Sequence, residues 1–155
     1  MSDSIRIVRG SVEEATDAAL SVLSQTRSAE GVDRAHGSWL YENNPDGAAE
    51  LWTAVDDESG RTVGFAALVP RRMWVLGEER RCWNAVHLSV VPEYRRRGIA
   101  TRLRVAARER VDAGEVDFLY GHPNTEGEGA HRKAGFTSLG QMLRYDLVLR
   151  SEPTL

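Results

Sequence analysis

Residues 90–101 of this sequence read Val90-Val91-Pro92-Glu93-Tyr94-Arg95-Arg96-Arg97-Gly98-Ile99-Ala100-Thr101 and decide how the rest of the chain is interpreted. An apolar segment typical of a strand ends at the valines, and a helical pattern begins after Gly98. The first turn of a helix has unpaired N–H groups and a positive dipole end, so it can hold a phosphate. Gly98 allows close backbone approach, and the arginines add charge. The stretch therefore predicts an anion site, although it is neither a P-loop nor a three-glycine dinucleotide fingerprint.

Positive charge is concentrated around this stretch. Residues 70–110 hold 11 basic and 4 acidic side chains, residues 1–69 hold 5 and 12, and residues 111–155 hold 4 and 7. Of the 20 basic residues only Lys133 is lysine. A basic block in a chain of net charge −3 indicates either a local anionic ligand or a solvated helix face. The acidic remainder, and the lack of aromatic residues between the arginines of residues 95–110, argue against a nucleic-acid partner.

Length and composition indicate one globular domain over residues 1–155. The 155 residues are 41% hydrophobic and 28% charged, which is ordinary for a soluble protein. A single cysteine, Cys82, excludes a disulfide framework and a multi-thiolate metal site, so we expect no metal. No segment resembles a signal peptide or a membrane span, which leads us to expect a cytoplasmic protein with no membrane partner.

Hydrophobic periodicity predicts alternating strands and helices in the order β-α-α-β-β-β-α-β-α-β. This order is typical of one α/β domain with a mixed sheet. The predicted strands cover residues 5–8, 51–55, 63–69, 82–91, 116–120 and 142–149. The predicted helices cover residues 11–25, 39–44, 98–113 and 128–134, and Arg102, Arg104, Arg108 and Arg110 are expected on the wet face of the third.

Two motifs carry a resemblance to a known family. Arg95-Arg96-Arg97-Gly98-Ile99-Ala100 matches the pattern Q/R-x-x-G-x-G/A, in a strand–loop–helix setting. The pattern N-x₂-A-x₃-Y-x₃-G-F is present, with every spacing kept, as Asn124, Gly127, His131 and Gly135-Phe136. The sequence resembles the GNAT superfamily of acyl-CoA-dependent N-acyltransferases over its whole length. The resemblance implies an α/β (α+β) fold: a mixed central sheet of about six to seven strands flanked by about four helices.

The resemblance also implies acetyl-CoA as co-substrate. Its pyrophosphate would lie on the amides from about Arg96 to Thr101, and its pantetheine arm would pair with the strand around Leu88–Val90. An amide near Leu88 would stabilise the oxyanion. The implied binding residues are Leu88, Ser89, Val90, Arg95, Arg96, Arg97, Gly98, Ile99, Ala100, Thr101 and Asn124.

Two histidines are the catalytic candidates. His131 stands where the family has a tyrosine that protonates the leaving thiolate, and an imidazole can do the same. Its alternative role is that of an exposed helix histidine. His87, on the strand that the resemblance gives to the cofactor, is the candidate general base. Since side chains of a strand alternate between faces, it could equally be a hydrogen-bonded core histidine.

Four further residues are predicted to surround the amine acceptor: Trp39, Tyr41, Tyr120 and His122. Aromatic rings can stack on a sugar, although Trp39 could instead belong to the core. The sequence thus predicts an N-acetyltransferase that acts on a primary amine of a small molecule, amino sugar or peptide, as a monomer or homodimer. The alternative is a non-catalytic acyl-CoA-binding module, because the usual tyrosine is missing.

Overall fold

The computed structural model describes residues 4–26 and 34–142. Five strands form one sheet in the order β1-β2-β3-β4-β5, with β5 parallel to β4 and the other neighbours antiparallel. The strands are β1 Ile5–Gly10, β2 Glu50–Asp56, β3 Thr62–Val75, β4 Glu78–Val90 and β5 Phe118–Tyr120. The helices are α1 Val12–Thr26, α2 Arg34–Gly37, α3 Ile99–Asp112 and α4 Thr125–Lys133, with a π-helical turn at Ser38–Glu42 and a 3₁₀ turn at Pro92–Tyr94.

The mixed α/β fold predicted from sequence is confirmed, with differences in detail. The described residues form five strands rather than six to seven. The predicted strand at 142–149 lies, apart from Met142, outside the described residues. β3 and β4 extend beyond their predicted ends into a long hairpin that turns at Leu76 and Gly77. This extension is mostly exposed, so it carries no core pattern that the sequence could reveal.

Both faces of the sheet are covered. Consecutive side chains of a strand point to opposite faces. A Cβ at Gly64 would lie only 3.1 Å from Ile99 and 3.4 Å from Leu103, so the glycine lets α3 pack directly on β3. The next residue, Phe65, packs instead edge-on against Tyr41, with ring centres 6.3 Å apart. Residues 63–69 are consequently all buried, as their continuous apolar run predicts.

Helix α1 begins with a capping box. The Ser11 backbone N–H and hydroxyl both donate to Glu14 Oε2, at 3.0 and 3.1 Å. The Glu14 amide donates back to Ser11 Oγ at 3.4 Å. These bonds satisfy amides that a helix start otherwise leaves unpaired. The helix begins at Val12, one residue after the predicted start. Within residues 4–26 and 34–142, no helix has the length and apolar character that crossing a membrane requires.

Candidate active site

The loop between β4 and α3 presents a row of unpaired backbone amides. In the described part of the chain, the amides from Arg96 to Thr101 donate no hydrogen bond. Arg96 and Gly98 have φ angles of 63° and 76°, and Gly98 is the N-cap of α3. Left-handed residues next to right-handed ones turn successive N–H groups toward one concavity, which is a common way to bind an anion. The loop therefore presents donors suited to an anion, and the anion site itself stays a prediction.

Tyr94 ties this loop to the sheet. Its hydroxyl donates to Asp56 Oδ2 at 2.7 Å, at the end of β2. That bond and a second one from Ser59 lower the pKa of Asp56 to about 2. The carboxylate is thus charged throughout the neutral range and holds the 3₁₀ turn in place.

The three arginines of the loop differ in their contacts. Arg95 Nε donates to Val90 O at 3.1 Å. Arg97 Nη2 donates to Glu93 O at 3.1 Å, and its guanidinium lies 4.7 Å from the centre of the Tyr94 ring. The Arg96 side chain is exposed and makes no hydrogen bond or ion pair with any described residue. Two of the three side chains therefore brace the loop itself, and their contact with a phosphate stays a prediction.

Strand β4 continues beyond its parallel partner. Pairing with β5 ends at Asn84 and Tyr120, so β5 gives no partner to residues 85–90. On its other side, β4 changes register opposite Ala66, and His87 has a φ of 51°. This bulge interrupts the regular alternation along the strand. The unpaired edge lies where the pantetheine arm is predicted, along Leu88–Val90, a placement that stays a prediction.

A cleft of about 310 Å³ opens where β4 and β5 part. It lies between the free edge of β4, the middle of α3 and the start of α4. Of the described residues that line it, four can carry positive charge and none is Asp or Glu. The lining residues are Asn84, Ala85, Val86, His87, Leu88, Arg104, His122, Pro123, Asn124, Gly127 and His131.

Asn124 explains why α4 forms despite two glycines in its first half. The side chain of Asn124 caps the helix by accepting a bond from Gly127 N at 2.9 Å. The acidic residues Glu126 and Glu128 lie in the first turn, where the helix dipole favours them. The cap fixes Asn124 at the rim of the cleft, while its predicted contact with pantetheine stays a prediction.

His131 is buried on α4 and lies at the floor of the cleft. Its Nδ1 is 2.9 Å from Gly127 O, and the Phe136 ring packs edge-on against it at 5.2 Å. Because a carbonyl only accepts, Nδ1 carries the hydrogen and the neutral ring leaves Nε2 with a lone pair. Burial lowers the pKa of His131, and the Arg104 charge lowers it further against the opposing Gly127 bond. The ring is therefore neutral at pH 7, and Nε2 has no partner among the described residues.

Arg104 corrects one sequence expectation. It was expected on the wet face of α3, but only 1% of it is exposed, and it lines the cleft. Its Nη2 donates to Ala85 O at 3.3 Å and to Val86 O at 3.4 Å. Burial lowers the pKa of Arg104 to about 10, so the guanidinium is still charged at pH 7. Arg102 and Arg110 are also partly buried, and only Arg108 of the four is exposed.

Two polar residues of the cleft, Arg104 and Asn84, are not predicted from the sequence. Asn84 Oδ1, Arg104 Nε and Nη1, and His131 Nε2 are all buried and have no hydrogen-bond partner among the residues that the structure describes. The buried residues of α3 are Ile99, Leu103, Arg104 and Ala107. Their spacing of four, one and three is that of a single helix face. The helical spacing therefore places Arg104 on the buried face of α3. A charged residue is, however, normally expected to face solvent.

His87 and Tyr41 form a pair on the other side of β4. The Tyr41 hydroxyl is hydrogen-bonded to His87 Nδ1, and their rings meet edge-on with centres 5.8 Å apart. Tyr41 is only 1% exposed. His87 is thus hydrogen-bonded to a buried residue, as expected of a core histidine, and it also lines the cleft, as expected of a general base. Its role as a base stays a prediction, as does the placing of Tyr41 beside an acceptor.

The remaining acceptor candidates lie in two different places. Trp39 is 66% exposed and borders a separate depression of about 280 Å³ beside Asp46 and Arg71. Tyr120 and His122 pack edge-on with ring centres 5.8 Å apart, and His122 borders the main cleft. Burial raises the pKa of Tyr120. Their part in binding an acceptor stays a prediction.

Comparison with known families identifies one match. The family described as the acetyltransferase (GNAT) domain matches residues 8–138. None of the curated protein sequences compared with this chain matches it.

Solved structures share the fold at low sequence identity. An acetyltransferase from Trypanosoma brucei is 17% identical, over 92% of this chain and 99% of that one, with a TM-score of 0.71. Glucosamine-6-phosphate N-acetyltransferase from Arabidopsis thaliana is 11% identical, over 91% and 97%, with a TM-score of 0.68. AAC(6')-Iy, in complex with a bisubstrate analogue of CoA and acetylneamine, is 18% identical, over 93% and 98%, with a TM-score of 0.70.

Proposed function

The chain belongs to the GNAT acetyltransferase family, and from this premise we propose that it is an N-acetyltransferase. It moves an acetyl group from acetyl-CoA to a primary amine of a small molecule, amino sugar or peptide. The observation that carries the proposal is continuity: the unpaired amides of Arg96–Thr101 lead directly to the unpaired edge of β4 and its cleft. One surface thus offers donors for a pyrophosphate and then a strand edge for an arm that contains amides.

The reaction needs an amine, a thioester and a donor for the oxyanion. The amine nitrogen attacks the thioester carbonyl and forms the new C–N bond. The C–S bond breaks, its electron pair stays on sulfur, and the nitrogen loses a proton. A backbone amide at the bulge, near Leu88, supplies the donor to the developing oxyanion. The chain holds this amide in place through the register change beside His87.

His87 is proposed to receive the proton from the amine. This role requires Nδ1 to donate to the Tyr41 hydroxyl, so that the lone pair is on Nε2. Tyr41→Phe removes the partner that fixes this tautomer. We expect it to lower turnover and to move the pH at which activity rises, with unchanged affinity for acetyl-CoA. An unchanged pH profile in this variant contradicts the role of the pair.

His131 is proposed to return a proton to the thiolate. Because burial lowers its pKa, the acid form is a small fraction of molecules at pH 7. The ratio of turnover in the wild type to that in His131→Phe is therefore expected to grow as the pH falls from 8 to 6. This ratio cancels the titration of the amine itself. A ratio of one across this range removes the acid role.

The lowered pKa of His131 also favours the alternative function, a non-catalytic module that binds acyl-CoA. One experiment separates the two: release of free thiol from acetyl-CoA with a panel of amines, amino sugars and peptide N-termini. The panel begins with amino sugars, because one of the structures that share the fold is named for an amino-sugar phosphate. Thiol release above hydrolysis supports the enzyme. Thermal stabilisation by acetyl-CoA without such release supports the binding module.

A further inference from the structure

We propose that the floor of the cleft is a carboxylate site, in which Arg104 binds the far end of an acyl group that terminates in a carboxylate. The chain would then accept dicarboxylic acyl-CoA thioesters, with succinyl-CoA as the representative, and bind them more tightly than neutral acyl-CoA of equal length. The proposal rests on the proposed function, since it concerns the acyl end of the same cleft.

The first support is the unsatisfied charge of Arg104. The residue is 1% exposed, and its Nε and Nη1 have no hydrogen-bond partner in the described part of the chain. Among the described residues no carboxylate oxygen lies within 4.0 Å of its guanidinium. A buried cation without a counter-charge is costly, and its removal is often tolerated or favourable. An anionic ligand would supply the missing partner.

The second support is that no described residue brings negative charge to the cleft. Besides Arg104, three histidines line it: His87, His122 and His131. Within residues 4–26 and 34–142, no Asp or Glu lines the cleft, although the chain contains 23 acidic residues. A carboxylate that enters this cleft therefore meets no like charge on its walls, and its nearest cation is held in a dry environment where attraction is strong.

The third support is the order of groups along β4. An arm that starts at the amides of Arg96–Thr101 first meets Val90 and then the bulge at Leu88. Beyond the bulge lie Ala85 and Val86, whose carbonyls accept bonds from Arg104. A thioester at the bulge thus directs the rest of its acyl group toward the guanidinium. Arg104 therefore lies toward the acyl end of a bound acyl-CoA and away from its pyrophosphate.

Calorimetric titration with four ligands tests the proposal: CoA, acetyl-CoA, butyryl-CoA and succinyl-CoA. Butyryl and succinyl groups both have four carbons, so they differ mainly in the terminal charge. We expect succinyl-CoA to bind about tenfold tighter than butyryl-CoA, the factor that a hydrogen bond to a charged group contributes. In Arg104→Gln the ratio is expected to fall to about one. Arg132→Gln, an exposed arginine on α4, is the matched control and is expected to keep the wild-type ratio.

The outcomes separate this proposal from the function on which it rests. Binding of CoA and acetyl-CoA without preference for succinyl-CoA overturns the carboxylate site and leaves the acyltransferase standing. A preference that persists in Arg104→Gln also overturns it. Failure of every CoA ligand to bind overturns both. Should Arg104→Gln fold poorly by circular dichroism, the wild-type ratio and Arg104→Lys, which keeps the charge and is expected to keep the preference, decide the matter.

Discussion

The loop before α3 and the second turn of that helix both carry arginine, but they use it in opposite ways. In the loop, Arg95 and Arg97 bond to carbonyls of their own segment, and the backbone amides face outward. One turn into the helix, the backbone is satisfied and the Arg104 side chain is left unsatisfied inside a cleft. The comparison teaches that the number of arginines in a segment says little about where positive charge acts.

Solvent explains the difference. An exposed guanidinium is screened by water, and a contact there contributes at most about 1 kcal/mol. A buried one has lost its hydration and interacts strongly with any anion that reaches it. We therefore expect the loop to bind an anion mainly through its backbone geometry, and the proposed carboxylate site to bind mainly through charge. Each substitution below changes either the loop or the cleft floor and leaves the other region intact.

The largest effect is expected from Gly98→Val, which attacks the geometry of the loop. Gly98 has a φ of 76°, and a β-branched residue there costs about 1–3 kcal/mol or forces the amides out of line. We expect affinity for CoA to fall about a hundredfold. Gly114→Val is the matched control, because Gly114 has a φ of 73° at the other end of α3. Calorimetry measures CoA affinity in both variants. An equal loss would mean that general backbone strain, and not the position of the loop amides, lowers the affinity.

Arg104→Met removes the buried charge. In the ligand-free protein we expect the free energy of unfolding to rise by about 1–3 kcal/mol, because desolvation of an unpaired cation ceases. The control Arg132→Met changes an exposed arginine on α4 and is expected to stay within about 0.5 kcal/mol of the wild type. Urea denaturation checks both. A less stable Arg104→Met would show that the two carbonyl bonds outweigh the desolvation.

Tyr94→Phe weakens the anchor of the loop. Asp56 has its pKa lowered to about 2, first by the Tyr94 bond, so it stabilises the fold above about pH 4 and ceases to do so as the pH falls toward 2. The variant is expected to lose less stability between pH 7 and pH 3 than the wild type does. Tyr120→Phe, whose hydroxyl does not contact Asp56, is expected to keep the wild-type slope in the same denaturation series.

The smallest expected effect concerns the titration of His131. Burial is the main cause of its lowered pKa and the Arg104 charge is a lesser one. Arg104→Gln should therefore raise the pKa of His131 without restoring its ordinary value. Proton NMR of the imidazole across pH 5–8 measures this, with Arg132→Gln as the control. An unchanged pKa of His131 in Arg104→Gln would show that the Arg104 charge does not act on the imidazole.

Much of the fold follows from residue patterns. Apolar runs and Gly98 predict most of the strands and helices, and the loop motif predicts an anion site, which stays a prediction. These features are local, so each is contained in a few consecutive residues. The length of the β3–β4 hairpin is not contained in a local pattern. Its outer half is mostly exposed and shows no alternation of apolar and polar residues.

The cleft floor could not be predicted for a different reason. Arg104 lies beside Leu103 on the buried face of α3, but a charged side chain is assigned to solvent unless its surroundings are known. The pairing of Tyr41 with His87 joins residues far apart in sequence and depends on a bulge. Both features arise from tertiary contacts, which no local pattern records.

The early end of β5 has one more consequence. A strand edge without a partner is a template onto which other chains can add and aggregate. Here the open edge of β4 faces a cleft between two helices, and a guanidinium already occupies two of its carbonyls. We expect the neighbouring helices and the Arg104 guanidinium to hinder the addition of another strand at this edge. The residues that leave the edge open would then also protect it from aggregation.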